Sequence, residues 1–148
     1  YRGILPQAYL ETMTVERSAG ALNREMRGAG VHSLVAESAA GQVVGLLTGG
    51  IDRRRDRIYR AEIFSLYVLR AFRRRGLGRE LVRRFVAGAN RQGIFTLKVQ
   101  VLAANPHRRF YERLNGLLLA CGPITFQRAV LQACTYGWLD TGLVVEAI

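Results

Sequence analysis

The residue pattern with the clearest chemistry is a short cationic glycine turn, Arg73-Arg74-Arg75-Gly76-Leu77-Gly78. The segment before it, residues 61–69, has the length and the β-branched and aromatic content of a buried strand. After the glycines, apolar residues recur at helical spacing with arginines between them. A glycine turn at a helix N-terminus leaves backbone N–H groups free. Together with the helix dipole and the arginines, those groups predict a site for a phosphorylated ligand.

The spacing within this turn excludes two common phosphate-binding motifs. A nucleotide P-loop needs Gly-x-x-x-x-Gly-Lys-Ser/Thr, but the only lysine of the chain, Lys98, lies elsewhere. A dinucleotide fingerprint needs a third glycine where Leu81 stands. The alternative is an ordinary strand-to-helix turn, with glycines for packing and arginines for solubility. On the turn alone both interpretations stay open.

Length, composition and charge limit the number of domains and the classes of ligand that the chain can bind. At 148 residues with 49% hydrophobic content, we expect one α/β domain, residues 1–148, with a core of its own. The formal net charge is +11, and arginines concentrate in residues 53–60 and 70–84. Such a field attracts polyanions in general, including nucleic acid. Arginine content also follows genome composition, so the charge alone does not show what the protein binds.

The remaining composition indicates a cytoplasmic protein with no membrane partner. No apolar run reaches membrane-spanning length, and the first residues lack the pattern of a signal peptide. Two cysteines, Cys121 and Cys134, are too few for a disulfide framework, so we expect free thiols. No His, Cys or carboxylate group has metal-ligand spacing, which predicts no metal site.

A coarse pass along the chain predicts a mixed sheet with flanking helices. Leu5-Pro6 opens a first helix, and Thr14 is the expected N-cap of a second helix ending near Met26. The strand 95–102 should run parallel to 61–69, because a helix connects them. Other predicted elements are strands 31–37 and 42–48, a charged loop 49–60, a helix from 77 to about 91, a short helix 106–114 and a hairpin of strands 117–126 and 129–139. Pro123 predicts an edge or a bulge in the first hairpin strand.

Three motifs together resemble those of the GCN5-related N-acetyltransferase (GNAT) superfamily. The Arg-x-x-Gly-x-Gly of residues 73–78 resembles its acyl-CoA signature. The run from Asn105 to Phe110-Tyr111-Glu112-x-Leu114 resembles its second hallmark, and Tyr136-Gly137-Trp138-x-Asp140 resembles an ending frequent in bacterial members. The resemblance implies a mostly antiparallel mixed sheet in which a central parallel pair of strands splays apart.

The resemblance also implies that a strand and helix usual at the N-terminus are missing here. We expect that they were trimmed from the sequence or that another chain, as in a homodimer, covers the sheet edge.

The family pattern implies acetyl-CoA as cosubstrate and identifies the residues that bind it. The glycine turn would wrap the pyrophosphate, and the backbone of Tyr67 and Val68 would pair with the pantetheine amides. The complete implied set is Leu66, Tyr67, Val68, Arg73, Arg74, Arg75, Gly76, Leu77, Gly78, Arg79 and Asn105.

Two residues are the predicted catalytic groups. Tyr111 would donate a proton to the departing thiolate, because a phenol has a pKa near that of a thiol. Its alternative role is packing beside Phe110. Glu62, a carboxylate at the start of an apolar strand, would act as general base through water. Its alternative is an ion pair with Arg60 or another arginine, and Tyr67 is then the reserve base.

These observations predict an N-acetyltransferase that transfers acetyl from acetyl-CoA to a primary amine by direct attack in a ternary complex. The acceptor would be a small molecule or a peptide. A basic module that binds nucleic acid is the first alternative, but the arginine-rich surface lacks interleaved aromatics and a nucleic-acid motif. A catalytically silent acyl-CoA-binding domain is the second.

Overall fold

The computed structural model describes residues 1–147, which form a six-stranded sheet with helices on both faces. The strand order is β1-β2-β3-β4-β6-β5. The strands are β1 Val31–Glu37, β2 Val43–Ile51, β3 Ala61–Val68, β4 Leu97–Leu102, β5 Leu117–Phe126 and β6 Ala129–Trp138. The helices are α1 Gln7–Thr12, α2 Val15–Met26, α3 Leu77–Arg91, α4 Arg109–Glu112 and α5 Gly142–Glu146, with 3-10 turns at Arg70–Phe72 and Pro106–Arg108.

One strand pair is parallel and the others are antiparallel. β3 and β4 are parallel neighbours, and α3 connects them in the sequence, as predicted. Leu81, Val82, Phe85 and Val86 form the buried stripe of α3 and pack on the sheet, which explains their helical spacing. The mixed, mostly antiparallel sheet predicted from the motifs is therefore confirmed.

Several predicted boundaries agree with the structure, and the predicted caps explain why. The Thr14 side chain accepts a hydrogen bond from the Arg17 N–H at 3.2 Å and so caps α2. β5 is the outer strand of its edge, which accommodates Pro123. The helix predicted over 106–114 is instead a 3-10 turn followed by the four-residue α4, and the sequence did not predict α5.

The charged loop predicted over 49–60 begins later than expected, because β2 continues to Ile51. The prediction treated Gly49 and Gly50 as loop residues. In the structure a Cβ on Gly49 would lie 2.6 Å from the Phe85 ring. The glycine is thus required inside the strand, where α3 packs closely on the sheet.

The prediction of free thiols at Cys121 and Cys134 is wrong. The two residues stand directly opposite each other in the β5–β6 ladder, with their Cα atoms 4.1 Å apart, and they form a disulfide. The count of two cysteines gave no information about register, and it is the register that brings the two sulfurs together.

Within residues 1–147, no helix combines the length and the apolar character that crossing a membrane requires. The same residues contain no cluster of three or more His, Cys, Asp or Glu side chains that could hold a metal ion.

Candidate active site

The central feature of the site is an opening between the two parallel strands. β3 and β4 are paired only at their beginnings, from Ala61–Leu97 to Ile63–Val99. From Phe64 onward β3 keeps its pairing with β2, but its other edge has no partner strand. Backbone groups on that edge are therefore free to bind an extended ligand.

The end of β3 directs the backbone of Val68 into this opening. The Leu69 N–H donates to the Val44 carbonyl at 2.9 Å, on the β2 side. Because backbone groups alternate between the two edges of a strand, the N–H and C=O of Val68 face the β4 side. The Val68 carbonyl accepts a hydrogen bond from Arg73 Nε at 3.0 Å.

The glycine turn follows with a backbone conformation that its sequence explains. Gly76 is the N-cap of α3 and has φ 84°, in the left-handed region that glycine adopts readily. The first intrahelical bond runs from the Glu80 N–H to the Gly76 carbonyl at 3.0 Å. The N–H groups of Leu77, Gly78 and Arg79 precede that bond and have no intrahelical acceptor. A Cβ on Gly78 would lie 3.4 Å from the Phe110 ring, so there is little room for a larger side chain.

Charges around the turn are only partly neutralised. Glu80 forms ion pairs with Arg83 at 2.6 Å and Arg84 at 2.7 Å, and hydrogen bonds from these two arginines lower the pKa of Glu80 to about 2. Within residues 1–147, the remaining arginines of the turn have no carboxylate within 4.0 Å. These are Arg73, Arg74, Arg75 and Arg79. The turn therefore presents cations and free N–H groups on one surface.

Tyr111 lies in α4, which begins beyond the end of β4. Its ring contacts Phe110 edge-on with centroids 5.2 Å apart, and it stacks near Tyr136 at 6.1 Å. The buried Tyr136 hydroxyl donates to Glu112 Oε1 at 2.7 Å and accepts from Arg108 Nη1 at 2.9 Å, which fixes α4 on the sheet. The packing role predicted as an alternative is present. The role of Tyr111 as proton donor stays a prediction.

Three phenols share the space around the opening. Burial, followed by the neighbouring phenols of Tyr1 and Tyr67, raises the pKa of Tyr111 well above its usual value. Burial and the adjacent Tyr67 raise the pKa of Tyr1 to about 12. Tyr67 itself is 51% exposed. All three phenols are within interaction range of one another, and Tyr111 stays protonated over the physiological pH range. Tyr1 was not among the predicted catalytic or cosubstrate-binding residues.

Glu62 lies at the paired, closed end of β3, away from the opening. Its carboxylate accepts bonds from Arg53 Nη2 at 3.1 Å and from Arg53 Nε and the Arg53 N–H at 3.3 Å each. The Arg53 guanidinium also sits 4.1 Å from the Phe64 ring centroid. The arginine partner named as the alternative is therefore present, and it is Arg53 rather than Arg60. The role of Glu62 as general base stays a prediction.

The other predicted ligand-binding residues occupy different positions around the opening. The Asn105 side chain accepts from the His107 N–H at 2.9 Å and caps the 3-10 turn before α4. Arg73 Nη1 and His107 Nε2 are 3.5 Å apart, so these side chains approach each other across the mouth of the opening. Leu66 packs against the hydrophobic core, while Leu77 is half-buried in the first turn of α3.

A second polar cluster, at the start of β3 and β4, holds the charged loop after β2. Lys98 Nζ lies 2.9 Å from Asp52 Oδ1 and 3.1 Å from Asp56 Oδ2, and the Asp52 side chain is fully buried. Burial opposes ionisation of Asp52, but the Asp56 N–H and the Lys98 ammonium hold its pKa below the usual value. These contacts give the cluster a structural role.

The sequence model of the Acetyltransferase (GNAT) family matches residues 5–117, which is most of the chain. The chain belongs to this family. The match includes the opening between β3 and β4, the glycine turn and the helix that carries Tyr111. The resemblance inferred from the sequence is thereby confirmed, and the protein is a GNAT acetyltransferase.

Several known proteins resemble this chain along most of its length. The uncharacterized N-acetyltransferase YuaI of Bacillus subtilis (strain 168) is 25% identical over 141 residues, covering 95% of this chain and 79% of YuaI. A GNAT-family protein from Desulfovibrio desulfuricans superposes with a TM-score of 0.70 at 21% identity, over 93% of this chain and 95% of the other. The yncA protein of Salmonella typhimurium, solved with its cofactor acetyl-CoA, has a TM-score of 0.65 at 24% identity, over 86% and 75% of the two chains. These structural likenesses support the shared fold.

Proposed function

We propose that this GNAT acetyltransferase transfers an acetyl group from acetyl-CoA to a primary amine by direct attack in a ternary complex. The observation that carries the proposal is the opening between β3 and β4, which ends beside the cationic glycine turn. A slot lined by free backbone groups, next to free N–H groups and arginines, fits a ligand with an extended amide chain and several phosphates.

The binding of acetyl-CoA is divided between two parts of the site. The N–H groups of Leu77, Gly78 and Arg79, with the side chains of Arg73, Arg74 and Arg75, would hold the pyrophosphate. Backbone groups of Leu66, Tyr67 and Val68 would pair with the pantetheine amides, and Asn105 borders the same slot. When bound, acetyl-CoA supplies an acetyl group that is activated as a thioester.

Chemistry at the carbonyl needs a donor to the oxygen and a proton for the sulfur. The Val68 N–H faces the opening and would stabilise negative charge on the carbonyl oxygen. The amine nitrogen forms the new C–N bond as the C–S bond breaks, and the nitrogen loses a proton. Tyr111 would give its phenolic proton to the departing sulfur. Burial raises its pKa, so the phenol is protonated before reaction but is a weaker acid than an exposed phenol.

The proton that leaves the amine nitrogen needs a base. Glu62 would accept a proton through intervening waters, but Arg53 already occupies its carboxylate. Tyr67, exposed at the opening, is the alternative base, and solvent is the remaining one. A small molecule or peptide amine as acceptor, a cytoplasmic location and a homodimer that covers the β1 edge also belong to the proposal.

Calorimetric titration tests the proposal against its two alternatives. We expect acetyl-CoA to bind and a mixed-sequence oligonucleotide of equal charge to bind more weakly at physiological salt. A panel of amines and peptides, with release of free thiol as readout, then separates an enzyme from a silent acyl-CoA-binding domain. Stronger binding of the oligonucleotide than of acetyl-CoA would reject the proposal in favour of a nucleic-acid module.

A further inference from the structure

A cavity lies between the second half of α3 and the β1 edge of the sheet. Its volume is about 140 Å³, and it opens to solvent. Phe85, Gly88 and Ala89 line it on the helix side. Leu34 of β1 and Ile94, which follows α3, add to its apolar surface. None of the residues assigned to acetyl-CoA or to catalysis lines this cavity.

The size of the cavity limits what it can hold. An engineered apolar cavity of roughly 150 Å³ in another protein binds benzene. The cavity beside α3, at about 140 Å³, therefore has room for one six-membered ring. The ring of Phe85 and the aliphatic side chains of Leu34 and Ile94 provide apolar contacts for it. The dimensions and the lining together fit a molecule with a single aromatic ring.

Gly88 leaves the helix side of the cavity open. It stands in the interior of α3, where glycine is less favourable than alanine. Apart from the backbone of α3 itself, a Cβ at this position would meet nothing closer than an Arg91 guanidinium nitrogen at 3.8 Å. The packing of the protein therefore does not require a glycine here, in contrast to Gly49. The absent side chain leaves space beside the Arg91 guanidinium.

The rim of the cavity is cationic. Arg84 and Arg91 both line it, at i and i+7 along α3. Among the described residues, Arg91 has no carboxylate within 4.0 Å. Arg84 binds Glu80, but that carboxylate also binds Arg83, so one positive charge of the three stays uncompensated. No Asp or Glu of the described chain lines the cavity, and the rim therefore favours an anionic group.

We infer that this cavity binds a small aromatic carboxylate, with its ring against Phe85 and Gly88 and its carboxylate at Arg91. A guanidinium group can donate two parallel hydrogen bonds to a carboxylate. The site is separate from the glycine turn, because Gly88 lies about 16 Å from Leu77 along α3. It adds a second ligand to this protein and does not depend on the proposed function.

NMR titration of the 15N-labelled protein with sodium benzoate tests the site. Sodium acetate supplies the carboxylate without the ring, and benzyl alcohol supplies the ring without the charge. We expect benzoate to give saturable shifts of the Leu34 and Ala89 amides, with a dissociation constant on the order of 1 mM. Acetate should give no saturable shift at these amides. Benzyl alcohol should bind at least roughly 10-fold more weakly than benzoate, because it lacks the charge-assisted contact.

Two variants separate the apolar interior from the cationic rim. Gly88→Leu fills the cavity and should abolish the benzoate shifts, while the thermal midpoint stays at or above that of the parent because leucine is the better helix former. Arg91→Gln should weaken benzoate binding roughly 10- to 100-fold and leave benzyl alcohol binding unchanged. Arg24→Gln removes the same charge from α2 and should leave benzoate binding unchanged. If Gly88→Leu does not fold, Arg91→Gln decides the inference.

Several results would overturn the inference. These are no saturable benzoate shifts in the parent, equal shifts with acetate, equal affinity for benzyl alcohol, and parent-like benzoate affinity in Arg91→Gln or in folded Gly88→Leu. Acetyl-CoA added to the benzoate complex should not displace benzoate, and displacement would show that the two ligands share one site. Titration with acetyl-CoA alone tests the proposed function, so its failure is distinguishable from a failure of the benzoate site.

Discussion

Arg73 donates from Nε to the Val68 carbonyl at 3.0 Å, and this bond ties the cationic turn back to the end of β3. The N–H of the same Val68 is the proposed donor to the thioester carbonyl. Arg73 therefore connects the part of the site that would hold phosphates with the part that would hold the reacting group. A change at this arginine should affect both.

The first prediction concerns binding of acetyl-CoA at the turn. Gly78→Val should abolish it while the fold persists, because the side chain would meet the Phe110 ring and cover the free N–H groups. Arg73→Ala should cost roughly 1.5–3 kcal/mol of binding, the value of a charge-assisted contact. Calorimetry measures both, and Arg91→Ala at the far end of α3 is the matched control. Parent-like affinity in both turn variants would reject the assignment.

The second prediction concerns Tyr111 as the acid. Tyr111→Phe should lower kcat and kcat/KM together, by about 10²- to 10⁴-fold, because the proton is needed only as the C–S bond breaks. Acetyl-CoA affinity should barely change, since the ring keeps its contacts with Phe110 and Tyr136. Tyr9→Phe, which removes a hydroxyl from α1, is the control for steady-state kinetics. A Tyr111→Phe enzyme with parent kinetics would leave the residue with packing alone.

The third prediction separates the two roles of Glu62. If Glu62 is the base, the rate deficit of Glu62→Gln should shrink towards pH 9–10, where amines of lysine type begin to deprotonate unaided. If it serves only to bind Arg53, the variant should be less stable and its pH–rate profile should run parallel to that of the parent. Kinetics from pH 6 to 10, with thermal melts alongside, distinguishes the two. Parallel profiles would leave Tyr67 or solvent as the base.

The fourth prediction concerns stability and the only lysine. Lys98→Met should destabilise the fold by roughly 3–5 kcal/mol, because it leaves the fully buried Asp52 side chain without its cation. Urea denaturation at pH 7 measures the loss. Adding Asp52→Asn to Lys98→Met should recover part of it. If Lys98→Met alone is as stable as the parent, the ion pair contributes nothing to the free energy of unfolding.

The cluster of Lys98, Asp52 and Asp56 also makes the stability of the fold depend on pH. Hydrogen bonds from the Ile58 and Tyr59 N–H groups, with help from Lys98, lower the pKa of Asp56 to about 2. An unfolded aspartate titrates near pH 3.9, so the unfolded chain binds the proton first as pH falls. The contribution of Asp56 is therefore complete above about pH 4 and is lost as pH falls towards 2. Asp56→Asn should flatten the stability curve in this range, and a slope equal to that of the parent would contradict the assignment.

The fifth prediction concerns the disulfide between Cys121 and Cys134. Its mass signature in unreduced protein is the absence of two hydrogens. Reduction should lower the free energy of unfolding by about 3 kcal/mol, since the bond closes a loop across a sequence separation of 13. The double variant Cys121→Ser and Cys134→Ser should not respond to reductant. Unreduced protein with the full hydrogen count would show that the thiols are free.

The sequence was sufficient for those parts of the fold that depend on local pattern. The glycine turn, the helix after it and the parallel pair β3–β4 followed from periodicity and from the crossover rule. Gly49 and Gly50 were misleading, because the groups that leave no room for a side chain there are distant in sequence: the Phe85 ring at Gly49 and the Gly30 carbonyl at Gly50. The disulfide was missed for a similar reason, since it depends on strand register.

The candidate site was predictable only where motifs mark it. Tyr111 and the turn residues stand in recognisable strings, whereas Arg53, the partner of Glu62, stands in none. The pair forms when the loop after β2 folds back along the start of β3. Which arginine faces the Glu62 carboxylate is a three-dimensional property, and no spacing in the sequence signals it.

The pairing of Lys98 bears on how this enzyme can be assayed. Burial opposes protonation of this lysine, but Asp52 and Asp56 outweigh that effect and raise its pKa, so its amine is held protonated in an ion pair. Residues 1–148 contain no other lysine, so this part of the enzyme offers acetyl-CoA no unpaired lysine side chain. Self-acetylation of lysine side chains within residues 1–148 should be nearly absent. Radiolabel from acetyl-CoA that appears on a lysine side chain therefore identifies a different molecule as the acceptor.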